Sequence, residues 1–544
     1  VLPMALGDSG IYIYDFVVPD VPAGTYYVGL ELDSADDVSE MVEGNNISPA
    51  ACVGELRIAD DAALSAGAVK VVNSWGEGTW ENVADGHYWI SYETMKHLEM
   101  PIFYYYNNFD AAYEPRVLAV FDLTHPYRDD CYIRVGLGDP ADPYAVKDMQ
   151  AGPPSALWSG HLPFPDNALA LDISEFADAV NDYDVFLEIQ NQGSSTGSVD
   201  AFSVEFYADY DDAPFKAITG TTGTITAGDS SAFSAATAGS LSTSELAVIE
   251  SPLRSALPAP VFTEEKPAAA ELATDKARIG VYRPGVNYNP IVNGFGTGFA
   301  PPTQSEWDHM MKLESVESPL LRGTLPNEVD NSATQYFPPI GNQGNEGSCS
   351  AFSSAYYIHT YQEAREHGWD LSSTSWTGDS FGYPDSNQDK IMSPDFVYHQ
   401  VNLGGDNGTF TGYAMRILTQ IGGASWAQMP YDTSDSTTWP SEAAFREAAR
   451  YRGAPVGTHY WTDMNTGYFI VRTDADIDLL KQLLAEGYCV STSVDAYEMY
   501  VYPTYMDGND VVSGTTIPVT QTNHANTIVG YKEGAAWDPA HPEE

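Results

Sequence analysis

A cysteine lies at the predicted start of a helix, where its thiol can act as a nucleophile. The segment NQGNEGSCSAF (residues 342–352) is a glycine-rich loop that leads into an amphipathic helical pattern, and Cys349 is near the first helical residue. The positive end of a helix dipole favours the thiolate, which is the reactive form of cysteine. Gln343, earlier in the loop, presents an amide N–H to a developing oxyanion. These residues in this order predict acyl transfer by a cysteine.

Two other segments carry groups that such a nucleophile needs. TNHANTIVGY (residues 522–531) is an apolar β-type run containing His524, and a neutral imidazole held against a thiol there can take its proton and later return it. VVNSWGEG (residues 71–78) contains Asn73 and Trp75, far along the chain from any obvious partner. Taken singly, each feature has an ordinary explanation: a small buried cysteine, a structural histidine or a polar loop. Together, and with Gln343, they favour a catalytic site.

The cysteine and histidine segments are similar to those of papain-like cysteine peptidases. NQGNEGSCSAF resembles the family signature Gln-Gly-x-Cys-Gly-Ser-Cys-Trp-Ala-Phe, and TNHANTIVGY resembles the histidine strand of the family. The resemblance implies that Cys349 is the nucleophile, that His524 is the base and that Gln343 helps to form the oxyanion hole. It also implies that Gly347 and Ser348 line the substrate site.

The resemblance extends along the chain with some departures. In residues 392–431, Gly408 corresponds to the substrate-binding edge strand, but Thr409 replaces a second glycine. Glu346 stands where the family has a disulfide cysteine, and Ser350 replaces the tryptophan after the nucleophile. The Glu346 departure removes a disulfide, and the Ser350 departure loosens packing near the nucleophile.

VVNSWGEGTWENVADGHYWISYE (residues 71–93) resembles the third catalytic segment of the family, VKNSWGxxWGxxGYxxISY. The resemblance implies that Asn73 orients the ring of His524 and that Trp75 shields their bond. Here Asn73 precedes His524 by 451 residues, whereas the family places it after the histidine. The order can arise from permuted or concatenated pieces, from a section of a tandem array, or from head-to-tail strand donation between chains. Each origin predicts that strand 69–73 pairs with strand 523–531.

The expected fold is α+β, with a two-lobed papain-like peptidase (a helical lobe and a β-barrel lobe) and all-β sandwich accessory domains. Strand patterns, turn residues and composition suggest the boundaries. They are a partial CARDB- or immunoglobulin-like β module at 1–62, Asn-bearing strands of the peptidase β lobe at 63–100, a jelly-roll-like β-sandwich at 101–217, a Ser/Thr/Ala/Pro-rich linker at 218–279, an N-terminal arm or propeptide-like segment at 280–324, and the papain-like domain at 325–544.

Charge and composition restrict the partners. The chain has 76 acidic and 24 basic residues, a formal net charge of -52, which repels nucleic acid and anionic membranes. No apolar run reaches the ~18 residues of a membrane-spanning helix. The chain begins with valine and shows no signal peptide, which suggests a processed product or a piece of a longer protein. The acidity favours a secreted or cell-surface location.

Asp209, Asp211 and Asp212 are candidate calcium ligands. The ordinary alternative is that they are simply exposed acidic residues.

The predicted function is that of a secreted papain-like cysteine endopeptidase that cleaves protein or peptide substrates through a Cys-His-Asn triad and a thioacyl-enzyme intermediate, without a cofactor. Ser350, Thr409 and the chain order motivate an alternative, a structural, adhesive or filament-forming surface protein whose peptidase domain is inactive or self-processing. A transpeptidase is a third interpretation, because an amine can capture the same intermediate.

Overall fold

The structure is a computed structural model. It describes residues 24–28, 54–58, 67–78, 85–105, 107, 113–149, 161–249, 261–317, 325–378, 382–402, 404–453, 466–501, 503–506, 509–512 and 517–534. The chain divides into two compact units, Val1–Ala63 and Leu64–Glu544. In the first unit, strand β1 (Gly24–Val28) pairs antiparallel with β2 (Gly54–Ile58). The rest of the predicted module at 1–62, including Cys52, lies outside the described residues.

The second unit opens with strands that belong to a large sheet. They are β3 (Gly67–Val72), β4 (His87–Ser91) and β5 (Met100–Tyr105), with helix α1 (Tyr92–His97) between the last two. β3 and β4 form an antiparallel pair. β5 falls within the range predicted for the sandwich, but it pairs instead with two strands of the C-terminal half. The sandwich boundary at residue 101 is therefore wrong, because local alternation does not identify the sheet that a strand joins.

Two antiparallel sheets follow. Their strands are β6 (Val117–Thr124), β7 (Cys131–Asp139), β8 (Asp142–Asp148), β9 (Leu169–Asp172), β10 (Val185–Asn191), β11 (Gly197–Phe206), β12 (Lys216–Thr219), β13 (Gly223–Ile225) and β14 (Ser230–Ala235). One sheet has the order β14-β10-β7-β8, and the other has β12-β11-β6-β9 with β13 also on β11. Val199, Phe202 and Val204 of β11 are buried, and a bulge after Val199 explains the change in their spacing.

The predicted linker at 218–279 is wrong. β13 and β14 lie within it, and β14 pairs with β10 at the edge of its sheet. Helix α2 (Thr243–Ile249), β15 (Val261–Glu265) and helix α3 (Ala269–Ile279) follow. Ile225, Phe233 and Ala235 are buried. An edge strand with one buried face needs only a few apolar residues at alternate positions, so the low count of large apolar residues was misleading.

The remaining elements combine helices and strands, and the described part of the chain is α+β. They are α4 (Gln304–His309), β16 (Met311–Glu317), β17 (Glu328–Asp330), α5 (Cys349–Ala351), α6 (Thr360–His367), β18 (Trp376–Thr377), β19 (Tyr383–Pro384), α7 (Pro394–Val401), α8 (Thr411–Gln420), α9 (Glu442–Ala448), β20 (Thr466–Val471), α10 (Asp474–Ala485), β21 (Val490–Val494), α11 (Ala496–Val501), β22 (Pro503–Met506), β23 (Asn509–Val512) and β24 (His524–Glu533). A π-helix (Phe352–His359) joins α5 to α6. None of the described helices is long and apolar enough to cross a bilayer.

The eleven-stranded sheet brings distant parts of the chain together. Its order is β15-β16-β20-β5-β21-β24-β3-β4-β23-β22, with β17 also paired to β24. β24 pairs antiparallel with β3, with Thr527 opposite Val72 and Tyr531 opposite Val69. The predicted pairing of these two strands is confirmed, and it occurs within one chain. Because the strands are antiparallel, the end of β3 lies beside the start of β24.

Candidate active site

Asn73 and His524 meet where β3 ends and β24 begins. Asn73 Oδ1 lies 2.7 Å from His524 Nε2. The backbone N–H of Ser74 also donates to Asn73 Oδ1, at 2.8 Å, which identifies that atom as the amide oxygen. Because this oxygen only accepts, His524 carries its proton on Nε2 and its lone pair on Nδ1. Nδ1 has no hydrogen-bond partner among the described residues, so the imidazole has the tautomer that a general base requires.

Trp75 covers this pair on one side. Its ring lies against the His524 ring, with centroids 4.6 Å apart, and it also stacks on Phe295 at 5.4 Å. The indole N–H donates to the carbonyl of Gly296 at 2.9 Å. Trp75, Asn73 and His524 are all buried. The structure thus places Trp75 where it excludes water from the bond between the amide and the imidazole.

Cys349 is the first residue of α5 and lies beside the histidine strand. Its Sγ accepts the backbone N–H of Ala525, the residue after His524, at 3.2 Å. The thiol is fully buried, and burial raises its pKa to about 12, although backbone hydrogen bonds oppose the shift. The sequence led us to expect a thiolate favoured by the helix dipole. Desolvation outweighs the dipole in this conformation, so the thiol here is neutral.

Two donors near the thiol converge on one carbonyl oxygen. Gln343 is held by Ser74, whose hydroxyl donates to Gln343 Oε1 at 2.6 Å. Gln343 Nε2 donates to the carbonyl oxygen of Thr297 at 3.2 Å, and the backbone N–H of Cys349 approaches the same oxygen at 3.4 Å. These are the two donors that an oxyanion hole beside Cys349 would use. In this structure a carbonyl of the chain itself lies between them.

The segment that supplies this carbonyl is Phe295–Ala300, which we call the cleft segment. Gly296 N–H donates to the Gly344 carbonyl at 2.8 Å. Thr409 N–H donates to the Gly298 carbonyl at 2.8 Å, and Ala300 N–H donates to the Thr409 carbonyl at 2.9 Å, which makes a short parallel bridge. The cleft segment therefore contacts the backbone of the nucleophile and pairs with the edge strand that the resemblance assigned to substrate.

Glycines explain why the cleft segment can pass so close to the backbone of residues 347 and 408. Gly298 has φ +112°, and a Cβ there would lie 1.9 Å from the carbonyl oxygen of Gly347. Gly408 has φ +85°, and a Cβ there would lie 2.4 Å from the Gly298 carbonyl oxygen. Gly347 and Gly408 thus flank the cleft segment on two sides. Ser348 is buried, and its hydroxyl lies 2.7 Å from the Tyr431 hydroxyl, so it supports the loop.

Comparison with known proteins assigns a family to the part of the chain that contains Cys349 and His524. Residues 325–538 match the family model described as papain family cysteine protease. These residues form a papain-family peptidase domain. The chain is a cysteine-type peptidase. Among solved structures, the chain is similar to xylellain, a cysteine protease from Xylella fastidiosa, with 19% identity over 44% of this chain and 80% of that one and a TM-score of 0.27. No curated protein matches the chain significantly.

Sequence reasoning missed several residues that complete the site of this peptidase. Ser74 anchors Gln343, and the Tyr357 hydroxyl donates to the Asn73 carbonyl at 2.9 Å. The cleft segment was placed only in a broad arm or propeptide-like region. The alternating glycines of NGFGTGF (residues 293–299) are the signal that could have located it, because they permit close backbone contact.

The predicted calcium ligands do not form a converging site in the described structure. The Asp211 carboxylate pairs with the guanidinium of Arg450, and its backbone N–H donates to the Asp209 side chain at 2.9 Å. Among the described residues, the groups whose ligand atoms converge lie elsewhere. Cys131, Cys349 and Cys489 are buried cysteines.

Replacement of Asn73 by alanine is expected to lower kcat about 10- to 100-fold with little change in KM, because His524 loses the partner that sets its tautomer and ring orientation. Steady-state hydrolysis of a fluorogenic peptide measures the effect. Asn526→Ala is the matched control, since Asn526 is buried on the same strand but bonds the Tyr88 hydroxyl. Equal losses of kcat in the two variants would indicate a general packing effect instead.

Acidification is expected to destabilise the closed site through His524. Burial lowers the pKa of His524 from its ordinary 6.5 to about 3. Between these values the unfolded chain binds a proton that the folded chain does not, so this contribution to stability is complete above pH 6.5 and falls as the pH drops towards 3. Denaturant unfolding at several pH values measures it, with His524→Gln as the reference that removes this group. Parallel pH dependences in both proteins would contradict the assignment.

Proposed function

We propose that this chain is a secreted papain-like cysteine endopeptidase that works through a Cys349-His524-Asn73 triad. The observation that carries the proposal is the 2.7 Å contact between Asn73 and His524, with Cys349 beside the same strand. Asn73 and His524 are separated by 451 positions in the sequence. Their contact fixes the His524 tautomer in which Nδ1 can accept a proton. Isolated structural residues have no reason to converge in this way.

In the proposed reaction, Cys349 attacks the carbonyl carbon of a peptide bond while His524 Nδ1 takes the thiol proton. Gln343 Nε2 and the Cys349 N–H stabilise the oxyanion. The tetrahedral intermediate collapses to a thioacyl-enzyme as His524 gives its proton to the leaving amine. Water, activated by His524, then releases the acid product and regenerates the thiol. Asn73 holds the imidazole in place throughout.

The cleft segment makes the described conformation an inhibited form. The Thr297 carbonyl occupies the two donors that a substrate carbonyl needs. Cys349 and His524 are both fully buried, and burial disfavours the charged form of each. Catalysis therefore requires displacement or cleavage of residues within the propeptide-like region 280–324. Displacement readmits water, which removes the penalty on the thiolate–imidazolium pair.

The proposal also assigns a role to the rest of the architecture. The helices around Cys349 form one lobe, and the eleven-stranded sheet contributes the β lobe with its barrel. The two sheets β6–β14 form a jelly-roll-like accessory sandwich, and β1 and β2 belong to a CARDB-like module. The acidic composition suits a secreted or surface protein that binds other proteins through these domains. Because Asn73 reaches His524 within one chain, strand donation between chains is not needed for catalysis.

Labelling with an epoxide inhibitor of cysteine peptidases tests the proposal. We expect an adduct on Cys349, located by peptide mapping, once the cleft segment has been displaced. The same experiment separates the endopeptidase from an adhesive or filament-forming protein with an inactive domain. An intact, folded protein with an opened cleft that forms no adduct at Cys349 would favour the adhesive protein.

A further inference from the structure

Three buried titratable side chains meet beneath the loop that carries Gln343. They are Glu346 on the loop and Asp395 and His399 on helix α7, one turn apart on the same face. Their exposed fractions are 1%, 1% and 2%. One ligand atom from each lies within 4.8 Å of the others. Neither the proposed peptidase mechanism nor the family resemblance uses this cluster.

Several hydrogen-bond acceptors of this cluster face one another with no hydrogen-bond donor between them. Glu346 Oε1 and Oε2, Asp395 Oδ1 and His399 Nε2 have no hydrogen-bond partner among the described residues. Asp395 Oδ1 and His399 Nε2 are 3.5 Å apart, which is too long for a hydrogen bond. Buried carboxylates with neither a proton nor a counter-ion between them are strongly destabilising, so this arrangement needs either protons on the carboxyl groups or a bound cation.

The neighbouring hydroxyls do not supply a proton to Glu346. The Tyr431 hydroxyl donates to the carbonyl of Gln343 at 2.8 Å. Ser348 Oγ lies 2.7 Å from the same Tyr431 hydroxyl, whose proton is already committed, so Ser348 is the donor in that contact. Neither hydroxyl lies within hydrogen-bond distance of the Glu346 carboxyl group, although both lie near it.

The histidine is oriented as a metal ligand would be. His399 Nδ1 lies 2.6 Å from the carbonyl of Thr438, so it carries a proton, and in the neutral imidazole the lone pair of Nε2 faces Asp395. Metal-binding histidines commonly donate their second nitrogen to a backbone carbonyl in this way. Asp395 is fixed similarly, because its Oδ2 accepts the Asp432 N–H at 2.8 Å.

We propose that Glu346, Asp395 and His399 bind one divalent transition-metal ion, with Zn²⁺ as the best fit to one imidazole nitrogen and two carboxylates. Tetrahedral zinc with ligands at about 2.0–2.1 Å holds ligand atoms roughly 3.4 Å apart, close to the 3.5 Å between Asp395 and His399. The ion ties the loop to α7. It thereby fixes Gln343, whose Nε2 donates to the Glu346 carbonyl at 2.7 Å.

The metal content of the purified full-length chain tests the proposal. After treatment with EDTA, reloading with Zn²⁺ and gel filtration, we expect about one ion per chain. His399→Gln and Glu346→Gln should lose this ion. His161→Gln is the matched control, because Asp129, Asp130 and His161 form a second cluster of the same size that is more exposed. Retention of zinc by His399→Gln together with its loss from His161→Gln would overturn the proposal.

A second measurement covers variants that fail to fold. Addition of Zn²⁺ to the metal-free wild-type chain should raise its Tm by about 3 °C or more, and Co²⁺ should give the visible absorption bands of a protein-bound ion. Neither readout depends on peptidase activity, so both remain valid if the proposed reaction is wrong. A wild-type chain that retains no ion and shows no shift in Tm with Zn²⁺ or Co²⁺ would refute a metal site at this cluster.

Discussion

Replacing Cys349 by alanine is expected to lower kcat/KM for peptide hydrolysis by about 10⁵-fold, because the loss of a nucleophile that forms a covalent intermediate leaves only binding and oxyanion stabilisation. The variant should also lose its reaction with an epoxide inhibitor. The assay is best made with the cleft segment displaced, since the wild-type thiol is buried and the Thr297 carbonyl occupies the oxyanion donors.

Cys131→Ala is the control for this variant. Cys131 is also a buried cysteine, but it belongs to β7, in one of the two smaller sheets. Its loss should leave kcat/KM unchanged apart from the small effect of a packing defect on stability. If Cys349→Ala retained most of the peptidase activity, a different nucleophile would have to carry the reaction, and the triad proposal would fail.

Replacing Gly298 by alanine is expected to raise the activity of the uncleaved chain about 10-fold or more, by shifting the population towards an open cleft. The new Cβ would lie 1.9 Å from the Gly347 carbonyl oxygen, so the cleft segment cannot keep its position. Its departure would release the Cys349 N–H and Gln343 Nε2 for substrate. The rate of epoxide labelling at Cys349 and the hydrolysis rate should rise together.

Gly294→Ala separates this clash from backbone strain. Gly294 also has a positive φ, +89° against +112° at Gly298, but a Cβ there meets nothing within 4 Å. The two substitutions thus cost similar backbone strain, and only Gly298→Ala displaces the cleft segment. Equal labelling rates in the two folded variants, or a lower rate in Gly298→Ala, would mean that the cleft segment is a permanent part of the fold and not an inhibitor.

The sequence was most informative where chemistry requires a fixed set of neighbouring residues. The flanks of Cys349 identified its helix, and the apolar run after His524 identified a strand, because these patterns depend on local backbone geometry. The pairing of strand 69–73 with strand 523–531 followed from the resemblance and is present as predicted. Thr303 forms a capping box with Glu306 at the start of α4, and this pattern also depends only on neighbouring residues.

The predictions from sequence that were wrong share a physical cause. The predicted linker contains strands because Ile225 and Phe233 need only one buried face, and the sheets that bury them are contributed by distant residues. β5 looked like a sandwich strand because alternation does not specify a partner. The thiolate expected at Cys349 is disfavoured because the folded chain buries the thiol, and burial raises its pKa.

By itself, then, the order of residues determined which side chains can perform the chemistry: a thiol at a helix start, an imidazole in a strand, an amide beside a tryptophan. Only the tertiary structure decided that they meet within one chain, that the Thr297 carbonyl occupies their oxyanion donors, and that Glu346 faces Asp395 and His399. Side-chain type is local information. Burial, tautomer and charge state depend on contacts between residues hundreds of positions apart, which the backbone hydrogen bonds of one large sheet bring together.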